Sequence, residues 1–314
     1  MKIDNFALTM HQTCPAKYDL RIRQEWASRG KSAALGMGGA LHSGLAVWYR
    51  THDLGQALLA IGEAWKDDQP VDDFRTKEKC ITTMIEYAKT YPNESFQVVG
   101  APDNPMIEVP FTIEMGRCIP FCGDWLARDG TGYQGCGVIQ HGFENEVCEK
   151  CGCPLEPIEY GGIFDGLIEF SHQVFILEHK STSVMGASYF NQFKPNNQVC
   201  GYIWGAGQLS GKKVVGAMVN AIGIYKAGAT KFNREITSRG DGAIAEWKQN
   251  VQTTCAEIKF HERHGFWPLR TMACTLYGLC EFHSVHVLEH QVEREKRLEN
   301  DFVKDNWDYE LREA

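Results

Sequence analysis

The sequence predicts an α/β protein in which helices flank a mixed central sheet and a small cysteine-rich insert of the zinc-ribbon type interrupts the sheet. Three observations support this fold class. Apolar residues recur at helical spacing between residues 15 and 89. From residue 106 onward, short runs rich in Ile, Phe and Val are typical of strands. Between residues 116 and 157, six cysteines accompany many glycines and few periodic apolar residues.

Length and composition are those of a globular protein. The chain has 314 residues, of which 43% are hydrophobic and 23% charged. It contains no apolar run near the roughly 18 residues that span a bilayer, and its start lacks a secretory layout. We therefore expect a cytoplasmic protein without a membrane partner. A net charge of −8 argues against a uniformly basic surface, so any DNA groove must be local.

Four segments follow one another along the chain. Residues 1–115 are mostly helical, with helices expected over CPAKYDLRIRQEWASR, ALGMGGALHSGLAVWYR, LGQALLAIGEAW and VDDFRTKEKCITTMIEYAK. Residues 116–157 are the insert, and residues 158–290 carry two strands, a helix, a further strand and a further helix. Residues 291–314 predict a charged helix, for which a solvated surface face is favoured over a partner-binding arm.

Two predicted strands, GGIFDGLIEF and VFILEHKST, are separated by only three residues, so we expect a hairpin. A two-residue loop of Ser171 and His172 would place Asp165 opposite Glu178, with both side chains on one face. Lys180 shares that face, because strand residues two apart point the same way. A register shifted by one residue would separate the three side chains.

Two carboxylates and a lysine at one strand edge suit phosphodiester hydrolysis. Carboxylate oxygens bind Mg²⁺ or Mn²⁺, and such an ion activates water and stabilises the leaving group. A lysine would orient the attacking water or balance charge on the phosphate. The alternative is that Asp165 is a turn residue and that Glu178 to Lys180 form an exposed strand end, because isolated strings of this kind are common.

The context of these residues favours the catalytic interpretation. LGMGGALHSGL, FDGLIEF, ILEHKST and QVCGY resemble, in order and spacing, the successive motifs of RecB-family PD-(D/E)XK nucleases, which have a restriction-endonuclease-like core. The resemblance implies metal ligands at His42, Asp165 and Glu178, and a catalytic lysine at Lys180. It also implies a metal-site role for Glu108 and a backbone carbonyl from His179, and it places Gln198 and Tyr202 where they would shape the site or contact DNA.

Three cysteines far apart in sequence form a second pattern. Cys14, Cys274 and Cys280 resemble the iron–sulfur staple of AddB-like and CRISPR-associated exonucleases and their phage relatives, in which one early cysteine joins three late ones around a 4Fe–4S cluster. This chain departs from the pattern, because the position of the last cysteine is His286 and an alternative spacing gives Thr271. A cluster, a zinc ion with Cys₃His ligation and buried free cysteines all remain open.

The cysteines of the insert predict a separate zinc site. The string CEKCG, with Cys148 and Cys151, is typical of a zinc knuckle. Its partner pair, Cys118 and Cys122, has one residue more than the usual spacing, so Cys136 is an alternative ligand. A coincidental cluster of cysteines is the less favoured interpretation, and a set of disulfides is not expected in an intracellular protein. Such a ribbon could contact DNA or serve only as a structural staple.

Together, the motifs imply a metal-dependent DNA exonuclease, bacterial or phage-encoded, that acts in recombination, repair or phage DNA processing. The chain has no G-x-x-x-x-G-K-[ST] motif, so translocation would need a helicase or recombination partner. Two alternatives from other classes remain: a catalytically silent DNA-binding module of the same fold, and a zinc-stapled protein-interaction scaffold.

Overall fold

The computed structural model describes residues 1–30, 32–66, 70–118, 125–126, 132–133, 146–147, 154–276 and 278–308. The α-helices, in chain order, are α1 Asn5–Thr13, α2 Pro15–Tyr18, α3 Ala33–Thr51, α4 Leu54–Ala64, α5 Lys77–Thr90, α6 Asn197–Ser210, α7 Asp241–His264, α8 His283–His286 and α9 Gln291–Asp301. The strands are β1 Lys2–Asp4, β2 Trp26–Ser28, β3 Gln97–Val98, β4 Gly100–Ala101, β5 Asn104–Pro105, β6 Ile107–Cys118, β7 Trp125–Leu126, β8 Gly132–Tyr133, β9 Glu156–Phe170, β10 Gln173–Thr182, β11 Val214–Gly223, β12 Lys231–Ser238 and β13 Phe302–Lys304.

The chain forms two compact units, each assembled from separate stretches. The first comprises Met1–Arg29, Thr112–Gly161 and Asp241–Tyr309, and the second is built mainly from Gly30–Phe111 and Gly162–Gly240. All the residues predicted to form the catalytic site belong to the second unit, and all four residues of the predicted cysteine staple belong to the first.

The second unit contains a mixed sheet, as the sequence predicts. Strand β9 is antiparallel to β10, β10 is parallel to β11, and β11 is antiparallel to β12. Strands β3 and β6 also pair with β9. Helix α6 lies between β10 and β11 in the chain and provides the long crossover that parallel neighbours require.

The hairpin between β9 and β10 has the predicted register. Pairing extends as far as Leu177 opposite Gly166, so Asp165 and Glu178 occupy the next positions along the two strands. The loop consists of Ser171 and His172, with φ angles of 50° and 61°. Two consecutive left-handed residues are the signature of a type I′ turn, which usually contains Asn and Gly. The tight turn therefore forms here without either residue.

Helix α3 places His42 against the sheet of the second unit. The helix begins after Ser32, whose side chain accepts a hydrogen bond from the Leu35 amide at 3.2 Å. A Cβ added at Gly44 would lie 2.6 Å from Cγ1 of Ile61, so α3 and α4 approach each other closely at this glycine. The helices and strands bury a common apolar core that includes Leu41, Leu45, Trp48, Met84, Tyr87, Ile168, Leu177 and Ile222.

In the first unit, long-range strand pairing overrides two helix predictions. The helix expected over residues 14–29 ends early: α2 and a π-helical turn, Asp19–Arg23, are followed by β2, which pairs antiparallel with β13. The charged helix expected over residues 291–314 ends at Asp301 for the same reason, because Phe302 begins β13. Phe302 packs with Leu20 and Phe282 in a small buried cluster. These pairings join opposite ends of the sequence, which local periodicity cannot reveal.

The zinc prediction for the insert falls outside the described residues. Cys122, Cys136, Cys148 and Cys151 lie outside them, as does the side chain of Cys118. Among the helices that the structure describes, none combines the length and apolar character needed to cross a membrane.

Candidate active site

The main chain of the neighbouring strand holds the Asp165 carboxylate. Oδ2 of Asp165 accepts a hydrogen bond of 2.6 Å from the backbone amide of His179, and both residues are buried. Because the donor is a backbone group, the hairpin itself fixes this carboxylate.

Glu178 and Lys180 project from the same face of β10, as predicted. Nζ of Lys180 lies 2.5 Å from Oε1 of Glu178. Glu178 is 2% exposed, whereas the Lys180 side chain is 30% exposed. Oε2 of Glu178 is buried and has no hydrogen-bond partner among the described residues. A buried carboxylate oxygen without a protein partner is costly unless an external group binds it.

His42 and Glu108 complete the group around Asp165. Nδ1 of His42 lies 3.3 Å from Oδ1 of Asp165 and 3.9 Å from Oε1 of Glu108. One ligand atom from each of the three residues lies within 4.8 Å of the others, the only such trio among the described residues. Glu108 has a φ angle of 49°, in the left-handed region that non-glycine residues seldom adopt. Strain of this kind concentrates at functional sites.

The charges of this group strongly influence one another. Burial lowers the pKa of His42, but the Asp165 and Glu108 carboxylates outweigh burial and raise it well above its ordinary value. Burial and the neighbouring Asp165 raise the pKa of Glu178 to about 7, against the opposing effect of Lys180. Burial would raise the pKa of Asp165, but the positive charge of His42 keeps it below its ordinary value. Perturbed titratable groups at one place are a mark of a functional site.

The site therefore has three carboxylates, one histidine and one lysine on and beside the β9–β10 hairpin. A protein-family model described as the PD-(D/E)XK nuclease superfamily matches residues 7–285 of the chain. The chain belongs to this superfamily.

Two solved structures that match this PD-(D/E)XK superfamily member have low sequence identity to it. A crystal structure of a protein named as a candidate exonuclease from Eubacterium rectale is 11% identical, with 92% of this chain and 90% of that chain covered and a TM-score of 0.49. A structure of the protein SSO0001 is 10% identical, with 72% and 77% covered and a TM-score of 0.26. The comparison with curated proteins gives no match.

The superfamily resemblance also singled out Gln198 and Tyr202, which the structure pairs with each other. Both lie on α6, and Nε2 of Gln198 donates a hydrogen bond of 3.0 Å to the Tyr202 hydroxyl. The Tyr202 ring packs edge-on against Phe111, at a ring-centre distance of 6.3 Å. Their predicted contact with DNA stays a prediction.

A polar row on the opposite face of this nuclease's sheet was missed by sequence reasoning. Asn220 in β11 lies between His179 in β10 and Arg234 in β12 in the strand register. The signal was present in the sequence, because Asn220 interrupts the apolar run VVGAMVNAIG and a buried polar side chain needs partners. Tyr189 was also missed. It lies in a 3-10 turn after β10, close enough to Lys180 for each to affect the pKa of the other.

The predicted staple residues are all in the first unit, but their ligand atoms do not converge on one point. The Cys14 thiol is buried, and its sulfur accepts a hydrogen bond from the Arg270 amide at 3.5 Å. The Cys280 amide donates to the Cys274 carbonyl at 2.8 Å. Nε2 of His286, on α8, is buried without a hydrogen-bond partner among the described residues. No three of these side chains have ligand atoms within 4.8 Å of one another.

Proposed function

We propose that this protein is a Mg²⁺- or Mn²⁺-dependent deoxyribonuclease that acts as an exonuclease. One observation carries the proposal: Asp165 and Glu178 occupy facing positions on adjacent strands of a hairpin, with Lys180 paired to Glu178 and with His42 and Glu108 beside Asp165. Two carboxylates and a lysine in this arrangement are the groups that metal-assisted phosphodiester hydrolysis requires. The membership of the superfamily supports the same reaction class.

The residues present fit a hard divalent cation. Oxygen atoms from Asp165, Glu178 and Glu108 are the ligands that Mg²⁺ and Mn²⁺ prefer, and a neutral His42 can add a nitrogen ligand to Mn²⁺. The unpartnered, buried Oε2 of Glu178 is the observation that most directly indicates a missing ligand. When bound, such an ion supplies Lewis acidity and activates water for attack on phosphorus.

The chain's own groups position the reactants. Lys180 is more exposed than its ion-pair partner Glu178, so its ammonium can reach a phosphate oxygen or an attacking water. Both Glu178 and Asp165 hold the pKa of Lys180 above its ordinary value against the effect of burial, so it stays charged. A charged lysine in a partly desolvated site stabilises the negative charge that develops on the phosphate.

The test compares cleavage by the wild-type protein and by Lys180→Ala. End-labelled linear DNA and covalently closed circular DNA, each single- and double-stranded, are incubated with Mn²⁺ or Mg²⁺. We expect digestion of linear DNA only, no digestion with a chelator, and loss of digestion in Lys180→Ala. Cleavage of closed circles would replace the exonuclease assignment with an endonuclease, and metal-independent cleavage would contradict the proposed chemistry.

Two rival functions predict different results in the same assay. A silent DNA-binding module would bind the substrates without cutting them, and Lys180→Ala would change only affinity. A zinc-stapled scaffold would show neither cutting nor any response to changes at His42 or Asp165, and would respond to zinc chelation instead. The complete set of motif residues supports the nuclease over both rivals.

We further propose that Cys14, Cys274, Cys280 and His286 hold a structural 4Fe–4S cluster. Three thiolates and an imidazole can hold such a cluster, although Cys₃His ligation also suits zinc and the thiols could be free. Absorbance near 400 nm in anaerobically purified protein, with an iron and zinc count, tests this assignment and the zinc ribbon of the insert together. Zinc without iron would overturn the cluster.

We also propose a cellular role for the nuclease. The nuclease acts with a helicase or a recombination partner in recombination, repair or phage DNA processing, because the sequence has no G-x-x-x-x-G-K-[ST] motif to drive translocation. Digestion of long duplex DNA by the isolated chain, without nucleotide, would argue against this requirement.

A further inference from the structure

His179 connects the catalytic face of the sheet to a buried polar network on the other face. Its amide holds Asp165, while its ring projects to the opposite side of β10, away from Glu178 and Lys180. There, Nδ1 of His179 lies 2.7 Å from Nδ2 of Asn220, the residue directly opposite it in β11. One residue therefore has its backbone in the active site and its side chain in the network.

The hydrogen bond with Arg234 fixes the orientation of the Asn220 side-chain amide. A guanidinium only donates hydrogen bonds, so the atom of Asn220 that lies 3.1 Å from Nε of Arg234 must be the amide oxygen. The amide NH₂ then faces His179 and donates to Nδ1, as well as to the Tyr87 hydroxyl at 2.9 Å. His179 consequently carries its proton on Nε2, and its ring plane is held by a directional bond.

Arg234 is itself held in place from three sides. Its guanidinium forms a two-point ion pair with Glu94, at 2.5 and 2.8 Å. Its Nη2 donates to the Tyr87 hydroxyl at 2.8 Å, and the guanidinium lies 3.6 Å from the ring centre of Tyr91. Side-chain exposure is 13% for Arg234 and 7% for Glu94. Buried, two-point ion pairs of this kind are rigid, because an arginine fork matches the carboxylate geometry.

The network also reaches His42. The Tyr49 ring stacks on His179 at a ring-centre distance of 5.5 Å, and the Tyr49 hydroxyl bonds to Glu94 at 2.7 Å. On its other side, the His179 ring meets His42 edge-to-face at 5.9 Å. Tyr49 and His42 both belong to α3. The His179 ring is therefore clamped between the network and the histidine that contacts Asp165.

We propose that Arg234 and Asn220 are positioning residues of the active site, which act through His179 to hold Asp165 and His42 in the arrangement that binds the divalent ion. The inference rests on the proposed nuclease function. Neither residue touches the reacting atoms. Groups that orient metal ligands from behind usually contribute 10- to 100-fold to metal affinity or activity, roughly the size of effect expected here.

The experiment compares Arg234→Met and Asn220→Leu with a matched control, Arg239→Met. Arg239 lies just after the same strand, β12, and donates to the Thr237 hydroxyl and to the backbone carbonyls of Ser238 and Phe193, outside the network. Mn²⁺ affinity is measured without DNA by electron paramagnetic resonance, and kcat and KM are measured on linear DNA. We expect both network variants to lose about tenfold or more in Mn²⁺ affinity and in kcat, with KM changed less than about threefold. Arg239→Met should stay within twofold throughout.

Folding is followed by circular dichroism and thermal melting in every variant. Network variants that fold and keep wild-type Mn²⁺ affinity would overturn the proposal. If either substitution prevents folding, Arg234→Lys replaces it, because lysine keeps the positive charge but loses the two-point fork of arginine. This variant should lose less Mn²⁺ affinity than expected for Arg234→Met and should melt near the wild-type temperature. Unchanged Mn²⁺ affinity in Arg234→Lys would count against the proposal. A wild-type protein that binds Mn²⁺ but cuts no DNA would refute the nuclease assignment, while the affinity comparison would still test positioning.

Discussion

The backbone amide of His179 donates a hydrogen bond to Oδ2 of Asp165 at 2.6 Å, so a side chain of β9 accepts a hydrogen bond from the backbone of β10. The bond replaces the strand-to-strand backbone pairing, which ends at Gly166 and Leu177. Asp165 thus has a structural task, accepting this bond with one oxygen, and a proposed metal-binding task with the other. The two tasks can be separated by substitution.

Asp165→Asn should abolish cleavage while keeping most of the stability, because an amide oxygen can still accept the His179 bond. Asp165→Ala should also abolish cleavage, but it leaves the buried amide without a partner, which costs about 1–3 kcal/mol. Urea unfolding of both variants measures the difference. Equal unfolding free energies for the two variants would show that the bond contributes nothing to stability.

Lys180 and Glu178 should have separable roles in metal binding and in the chemical step. Lys180→Met removes the phosphate-facing charge and the ion pair with Glu178 but none of the proposed oxygen ligands, so we expect kcat to fall about 10²- to 10³-fold with Mn²⁺ affinity largely retained. Glu178→Gln removes a ligand and should lower both quantities. Mn²⁺ titration alongside single-turnover cleavage gives both values. A Lys180→Met protein that no longer binds Mn²⁺ would instead make the lysine part of the ion site.

The stability of the first unit should decrease in acid because of His11. This residue is fully buried, neither ring nitrogen has a hydrogen-bond partner among the described residues, and burial lowers its pKa from 6.5 to about 3. Between these values the unfolded chain binds a proton that the folded chain does not. The free energy of unfolding therefore keeps its full value above pH 6.5, and His11 lowers it progressively as pH falls from 6.5 towards 3.

His11→Phe should remove this dependence. The wild-type melting temperature should fall more steeply than that of His11→Phe between pH 7 and 4.5, by an amount equivalent to roughly 2 kcal/mol. His264→Phe is the control, because that histidine lies on α7 and is exposed. Parallel pH profiles for wild type and His11→Phe would show that His11 titrates normally in the folded protein.

Gly205 should be intolerant of any side chain, since a Cβ there would lie 2.3 Å from Cε2 of the buried Phe111 ring. Gly205→Ala is expected to destabilise the protein by about 1–3 kcal/mol through overpacking. Gly207, on the same helix, has its nearest such contact at 3.5 Å, so Gly207→Ala should be neutral or stabilising by up to about 1 kcal/mol. Chemical denaturation of the pair provides the measurement, and equal effects would contradict the packing argument.

The two strands of the candidate site were predictable because the sequence pattern that defines them spans neighbouring residues. Strand alternation and a two-residue loop were sufficient to place Asp165 beside Glu178 and Lys180, even though Ser171 and His172 are unusual in such a turn. The network behind the site was not predicted, because Asn220 and Arg234 line up with His179 only when β10, β11 and β12 align, and Glu94 comes from the distant segment between α5 and β3. The early end of the first helix depends on the same kind of distant pairing, between β2 and β13.

His42 gives the carboxylates an internal counter-ion. When protonated, His42 places a positive charge beside Asp165 and Glu108, and these carboxylates raise its pKa. If a divalent ion binds at this site as proposed, with His42 as a ligand, the ion takes the place of that proton. We therefore expect a chelator to abolish the proposed metal-dependent activity without unfolding the protein. Adding the ion back should restore the activity.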